Sequence, residues 1–167
     1  MVHEALERFA RGKLPDSDEL PALRVRFASR LQALGVEGAA AQAGAERALQ
    51  ALRATLADER GRWLFDAGHR EAQSELALSG VRAGHIVNAV IDRTFVADGI
   101  RWVVDFKTSP HEGGDLPAFL DAEALRYEAQ LKRYAHLARA LGPEPVRAGL
   151  YFPLLAAWRE VAVDPAG

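Results

Sequence analysis

Apolar positions recur at helical spacing through the first third of the chain, then give way to short runs of β-branched and aromatic residues. Leu6, Phe9 and Ala10 follow Val2 on one helical face, with Gly12 and Pro15 as stops. Leu23, Phe27, Leu31 and Leu34 form a second stripe that Gly35 closes, and Pro21 sits where a first helical turn tolerates it. The alanine-rich stretch from Gly38 to Ala57 carries Leu49, Leu52 and Leu56 at helical intervals, which predicts a third helix rather than low complexity. From Glu71 the pattern predicts strands over 73–79, 85–97 and 100–107, punctuated by Gly80, Gly84 and Asp98-Gly99. A loop through Pro110, Gly113, Gly114 and Pro117 leads to a long helix from Asp121, the expected N-cap, to Leu141 before Gly142-Pro143. Strands near 146–152 and 158–163 complete the order.

Asp-Gly between two β-rich runs predicts a two-residue hairpin turn, because a type I′ turn needs positive φ at both central positions. Ala97 then pairs with Ile100, and Asp92 lies opposite Asp105. Facing carboxylates repel, so the arrangement calls for a cation. Lys107 shares a sheet face with Asp105, while Val104 and Phe106 point into apolar packing. Two carboxylates can hold Mg²⁺ or Mn²⁺ against a phosphate, and a neighbouring lysine can orient water or offset charge in the transition state. The plainer alternative is a strand end with solvated charges and an incidental ion pair. On the long helix Tyr127, Gln130 and Tyr134 share one face; aromatic stripes usually pack cores, but a buried amide among them must find polar partners.

Composition narrows the chemistry. The chain has 167 residues and no cysteine, which removes disulfides, thiolate catalysis, cysteine-held zinc and iron–sulfur clusters. A net charge of -2 gives no global field for nucleic acid, although a local groove or a larger partner could supply cations. No run approaches a membrane span and no secretory leader opens the sequence, so it reads as cytoplasmic. His69, His85, His111 and His136 lack mutual metal-ligand spacing and read as surface or packing residues. Arg93 falls on the face opposite Asp92 and is expected in a structural ion pair.

Asp92 followed by Asp105-Phe106-Lys107 resembles the PD-(D/E)xK nuclease signature. GHIVNAVIDR from Gly84 and VVDFKT from Val103 are similar to the G-x-x-D-R and D-x-K-T segments of the RecB-like nuclease domains of UvrD-type helicase-nucleases. Tyr127, Gln130, Leu131 and Tyr134 reproduce that group's Y-x-x-Q-L-x-x-Y helix, and Val2-His3-Glu4-Ala5-Leu6 looks like its V-H-x-x-L helix.

The resemblance implies an α/β, restriction-endonuclease-like core: a three-stranded meander, a crossing helix and further strands, with an N-terminal helical layer. One nuclease domain over 1–167 is expected, with a helical layer at 1–65 and a catalytic core at 71–167. Asp92, Asp105 and His3 match the metal ligands, Lys107 the catalytic lysine, and Glu75 an additional acidic position; Gln130, Tyr127 and Tyr134 are the helix motif's site residues. Taken without the family, His3 would read as an exposed or capping histidine, and Glu75 as an ordinary strand-end glutamate. The implied activity is hydrolysis of DNA phosphodiester bonds with Mg²⁺ or Mn²⁺, as the exonuclease module of a helicase-nuclease in double-strand-break repair or recombination. Its partners would be DNA and helicase domains of the same parent, and the start at Met-Val-His resembles an excised domain. The alternatives are an inactive nuclease-like module that binds DNA or a partner protein, and a stand-alone nuclease.

Overall fold

The structure is a computed structural model that describes residues 6, 20–82, 84–109, 111 and 113–163. Its elements are α1 (Leu20–Ala33), α2 (Gly38–Ala57), α3 (Glu59–Leu64), β1 (Arg70–Arg82), β2 (His85–Ala97), β3 (Ile100–Phe106), α4 (Leu116–Ala138), a 3₁₀ turn (Arg139–Leu141), β4 (Val146–Phe152) and β5 (Ala157–Val161). The strands form one mixed sheet in the order β1-β2-β3-β4-β5. β1 to β3 are an antiparallel meander, β3 and β4 run parallel, and β5 returns antiparallel. A parallel neighbour needs a crossover, and α4 supplies it. This is the expected restriction-endonuclease-like arrangement, with helices N-terminal to the sheet.

Strand alternation sends side chains to two cores. Trp102, Val104 and Phe106 of β3 join Phe95 and Tyr151 against Leu49 and Leu52 of α2, Leu64 of α3 and Leu6. Val103 of β3 instead joins Ile91, Leu150 and Phe152 against Leu120, Leu131, Tyr134 and Leu137 of α4. Each fully buried leucine contributes about 1.5–3 kcal/mol by leaving water. These cores clamp β3 from both sides, so the positions of Asp105 and Lys107 are set by packing on either face.

Several boundaries differ from those expected. β1 begins at Arg70, and β5 runs from Ala157 to Val161. The crossing helix starts at Leu116, not near Asp121: Asp115 caps it, its Oδ1 accepting from the Ala118 N–H at 3.0 Å. Pro117 therefore sits in the first turn, where its missing N–H costs nothing. The short helix α3 had no separate signal. Asp58 caps it by accepting from Gly61 N at 2.8 Å, and the same Oδ2 accepts from the buried Tyr151 hydroxyl at 3.0 Å. That long-range bond ties α3 to β4. The first expected helix lies outside the described residues except for Leu6, which is fully buried.

Candidate active site

The hairpin register is the one the Asp-Gly turn predicts. Ala97 pairs with Ile100 and the ladder continues to Arg93 opposite Val104, with φ of 51° at Asp98 and 73° at Gly99. The next positions are Asp92 and Asp105, and there β2 leaves regular geometry. Val87, Ala89 and Ile91 join the α4 core, whereas Phe95 and Ala97, two and three alternations on, join the helical-layer core. Side-chain alternation therefore slips by one at Asp92. In β1, Ser74 opposite Arg93 and Leu76 opposite Ile91 bracket Glu75, whose φ is 51°, with the pairing register unchanged across it. An irregularity of the kind at Asp92 bends a strand and re-aims the side chain at the bend. The Asp92 carboxylate consequently takes over a backbone bond: its Oδ2 accepts the Phe106 N–H at 2.7 Å.

Asp105 is almost fully buried. Its Oδ1 accepts from Gln130 Nε2 at 2.9 Å, and its Oδ2 lies 2.6 Å from Lys107 Nζ. The Gln130 amide also reaches the Tyr134 hydroxyl at 2.8 Å, so one glutamine joins carboxylate and phenol. Lys107 Nζ also lies 3.6 Å from the centre of the Tyr127 ring, a cation–π contact. Burial holds the Tyr134 hydroxyl above the usual phenol range; the bond to Gln130 opposes this, and the charges of Asp105 and Asp92 add to it. The helix face that carries Tyr127, Gln130 and Tyr134 is the face that meets the two strands.

One residue on that face had not been singled out. Glu123, one turn before Tyr127, is buried at 7% exposure; its Oε2 lies 3.4 Å from Ser109 Oγ and its Oε1 3.3 Å from Arg126. Its signal in the sequence was the helical interval Glu123, Tyr127, Gln130.

The other expected positions divide. Glu75 is exposed and lies inside β1, not at its start, between Ser74 and Leu76, which pair with Arg93 and Ile91. Arg93 does face away from the carboxylates, but the described residues give it no ion pair. Its Nε donates to Leu64 O and its Nη1 to Ser74 Oγ, each at 3.2 Å, with Phe65 and Phe95 beneath the guanidinium. Burial pushes its pKa down to about 10, so it remains charged at neutral pH. His69 stacks on Phe95 and His111 on Phe119, as packing residues should. His3 lies outside the described residues.

A divalent ion is the cofactor that the fold family implies. Among the described residues no three His, Asp or Glu side chains form a metal cage. Asp92 Oδ2 accepts the N–H of the residue after Asp105, and Asp105 Oδ2 is buried without a hydrogen bond of good geometry, its contact being the lysine charge. An oxygen donor of that kind suits a hard cation such as Mg²⁺ or Mn²⁺. The donor set therefore fits, with Asp92 and Asp105 as the described part of it.

Comparison with known proteins agrees with the geometry. The sequence matches the PD-(D/E)XK nuclease superfamily over residues 1–163. No curated protein matches it. Among solved structures, a candidate exonuclease from Eubacterium rectale superposes with a TM-score of 0.53 at 13% identity, over 97% of this chain and 59% of its own. A protein from Vibrio cholerae aligns over 96% of this chain and 48% of its own at 14% identity, but with a TM-score of 0.39 that likeness carries no argument. The chain thus spans well under two thirds of each of these neighbours. Sheet order, the carboxylate pair at the β2–β3 divergence and the sequence match lead to one assignment: this chain belongs to the PD-(D/E)XK nuclease superfamily.

Proposed function

We propose that the protein hydrolyses DNA phosphodiester bonds with a divalent metal held by Asp92, Asp105 and His3, and that it works as the exonuclease module of a RecB-like helicase-nuclease in break repair or recombination. The observation that carries the reading is the Lys107–Asp105–Gln130–Tyr134 chain of contacts beside Asp92. A bound Mg²⁺ or Mn²⁺ supplies Lewis-acid polarisation of the phosphate and a more acidic water. The protein's own groups do the rest.

Asp105 is held at both oxygens, by Gln130 and by Lys107, so its carboxylate is oriented before any ligand arrives. Lys107 is anchored at its backbone, where its N–H donates to Tyr151 O at 2.8 Å, and its ammonium is held between Asp105 and the Tyr127 ring. From there it orients the attacking water and offsets charge developing on the phosphoryl oxygens as the new P–O bond forms and the ester P–O bond breaks. Tyr134, kept protonated, accepts from the Gln130 amide and adds no negative charge to an already acidic site. Glu75, exposed in β1 between Ser74 and Leu76, would serve as an additional acidic group.

The test is degradation of linear single- and double-stranded DNA with Mg²⁺ or Mn²⁺, with and without chelator. Release of nucleotides from ends, abolished by chelator, is the expected result. Binding of DNA without cleavage under any metal condition would instead identify an inactive nuclease-like module.

A further inference from the structure

We propose that Glu123 is a positioning residue that holds the segment leaving β3 through Ser109 and so keeps Lys107 at the carboxylates; this rests on the catalytic role of Lys107 proposed above. The last strand residue of β3 is Phe106, and the Lys107 N–H bond to Tyr151 O is the final bond of the ladder with β4. Beyond it Thr108 and Ser109 lie outside any helix or strand, and α4 begins at Leu116. The ammonium of Lys107 is steadied by α4 through Tyr127, and the chain two residues on is steadied by the same helix through Glu123 and Ser109.

Burying a carboxylate is costly unless it is well partnered. Glu123 is 7% exposed, yet its contacts with Ser109 and Arg126 are 3.4 and 3.3 Å, longer than charge-assisted bonds usually are. Arg126 is mostly exposed, so that ion pair adds little. Stability alone does not favour a glutamate here. Its place on the helix face with Tyr127 and Gln130, pointing at the strand exit, accounts for it as the second point of a two-point hold on residues 107–109.

The experiment uses the whole chain with Glu123→Ala, Glu123→Gln, Ser109→Ala and Lys107→Ala. Amide exchange at 107–109, measured without DNA or metal, is read beside kcat and KM for linear DNA with Mn²⁺. Loss of the hold should speed exchange in this segment about 10-fold or more in Glu123→Ala and Ser109→Ala. The same two variants should lower kcat about 10-fold with KM within twofold, because a misplaced group acts mainly in the transition state. Glu123→Gln keeps an oxygen that can accept from Ser109 and should recover most of the rate. In a Lys107→Ala background, Glu123→Ala should cost nothing further. Unchanged exchange in Ser109→Ala, a change too small to endanger folding, overturns the proposal, and so does a Gln variant as impaired as the Ala variant, since that makes the negative charge itself the requirement. If the wild type cleaves no DNA, the proposed function fails, while the exchange measurement still decides whether Glu123 holds the segment.

Discussion

Asp92 of β2 accepts the backbone N–H of Phe106, the residue that separates Asp105 from Lys107. The bond ties the first carboxylate to the strand that carries the other two charged groups, at the point where β2 and β3 part. It makes Asp92 a structural group as well as a candidate ligand, and the two roles can be separated by substitution.

Asp92→Asn keeps an oxygen for the Phe106 N–H and removes the charge. We expect its unfolding midpoint to stay near wild type while metal-dependent cleavage falls at least about 10²-fold. Asp92→Ala leaves that N–H unpaired and should cost about 1–3 kcal/mol in addition. Urea denaturation of both variants beside a cleavage assay checks this, and equal destabilisation by Asn and Ala would show that the bond contributes nothing.

Lys107→Ala should leave metal and DNA affinity within a few-fold and lower the cleavage rate on the order of 10²-fold or more, as expected for a charge used in the transition state. Asp105→Ala deletes a ligand and should abolish both metal binding and cleavage. Assays at low salt favour phosphate contacts in a chain of net charge -2. Equal loss of DNA affinity and rate in Lys107→Ala would make the lysine a phosphate anchor.

Two buried phenols set an alkaline limit on stability. Burial raises Tyr134 and, more strongly, Tyr151 above the ordinary value of 10.0. A raised folded pKa means that the native state holds these protons more tightly than the unfolded chain does. The stabilisation is fully present below pH 10 and is lost as pH rises through the folded values. Tyr151→Phe should therefore lose less stability than wild type between pH 9 and 11, although it starts lower because the bond to Asp58 is gone. Parallel stability curves for the two proteins across that range would contradict the assignment.

Mn²⁺ should support activity at least as well as Mg²⁺ if an imidazole completes the carboxylate pair, because Mg²⁺ prefers oxygen ligands. His3→Ala should weaken Mn²⁺ binding in calorimetric titration without changing the circular dichroism of the fold. Unchanged affinity would return His3 to an ordinary surface role.

The local alphabet of the chain determined most of the elements and the β2–β3 hairpin register. Asp98-Gly99 allowed one short turn, and the turn set the pairing from Ala97 opposite Ile100 to Arg93 opposite Val104, because each of these steps depends only on neighbouring residues and a period of two. The helical interval of Tyr127, Gln130 and Tyr134 likewise announced a shared face. Other features depended on contacts between segments far apart in sequence. The change of side-chain face at Asp92 has no local signal, since it shows only in Ile91 joining one core and Phe95 the other. Asp115 rather than Asp121 caps α4, its Oδ1 accepting the Ala118 N–H, and α3 exists where Tyr151 of β4 reaches Asp58. Gln130 finding Asp105, and Glu123 finding Ser109, required α4 to be laid across the sheet, a placement set by apolar packing of Leu131 and Leu137 and by no local signal.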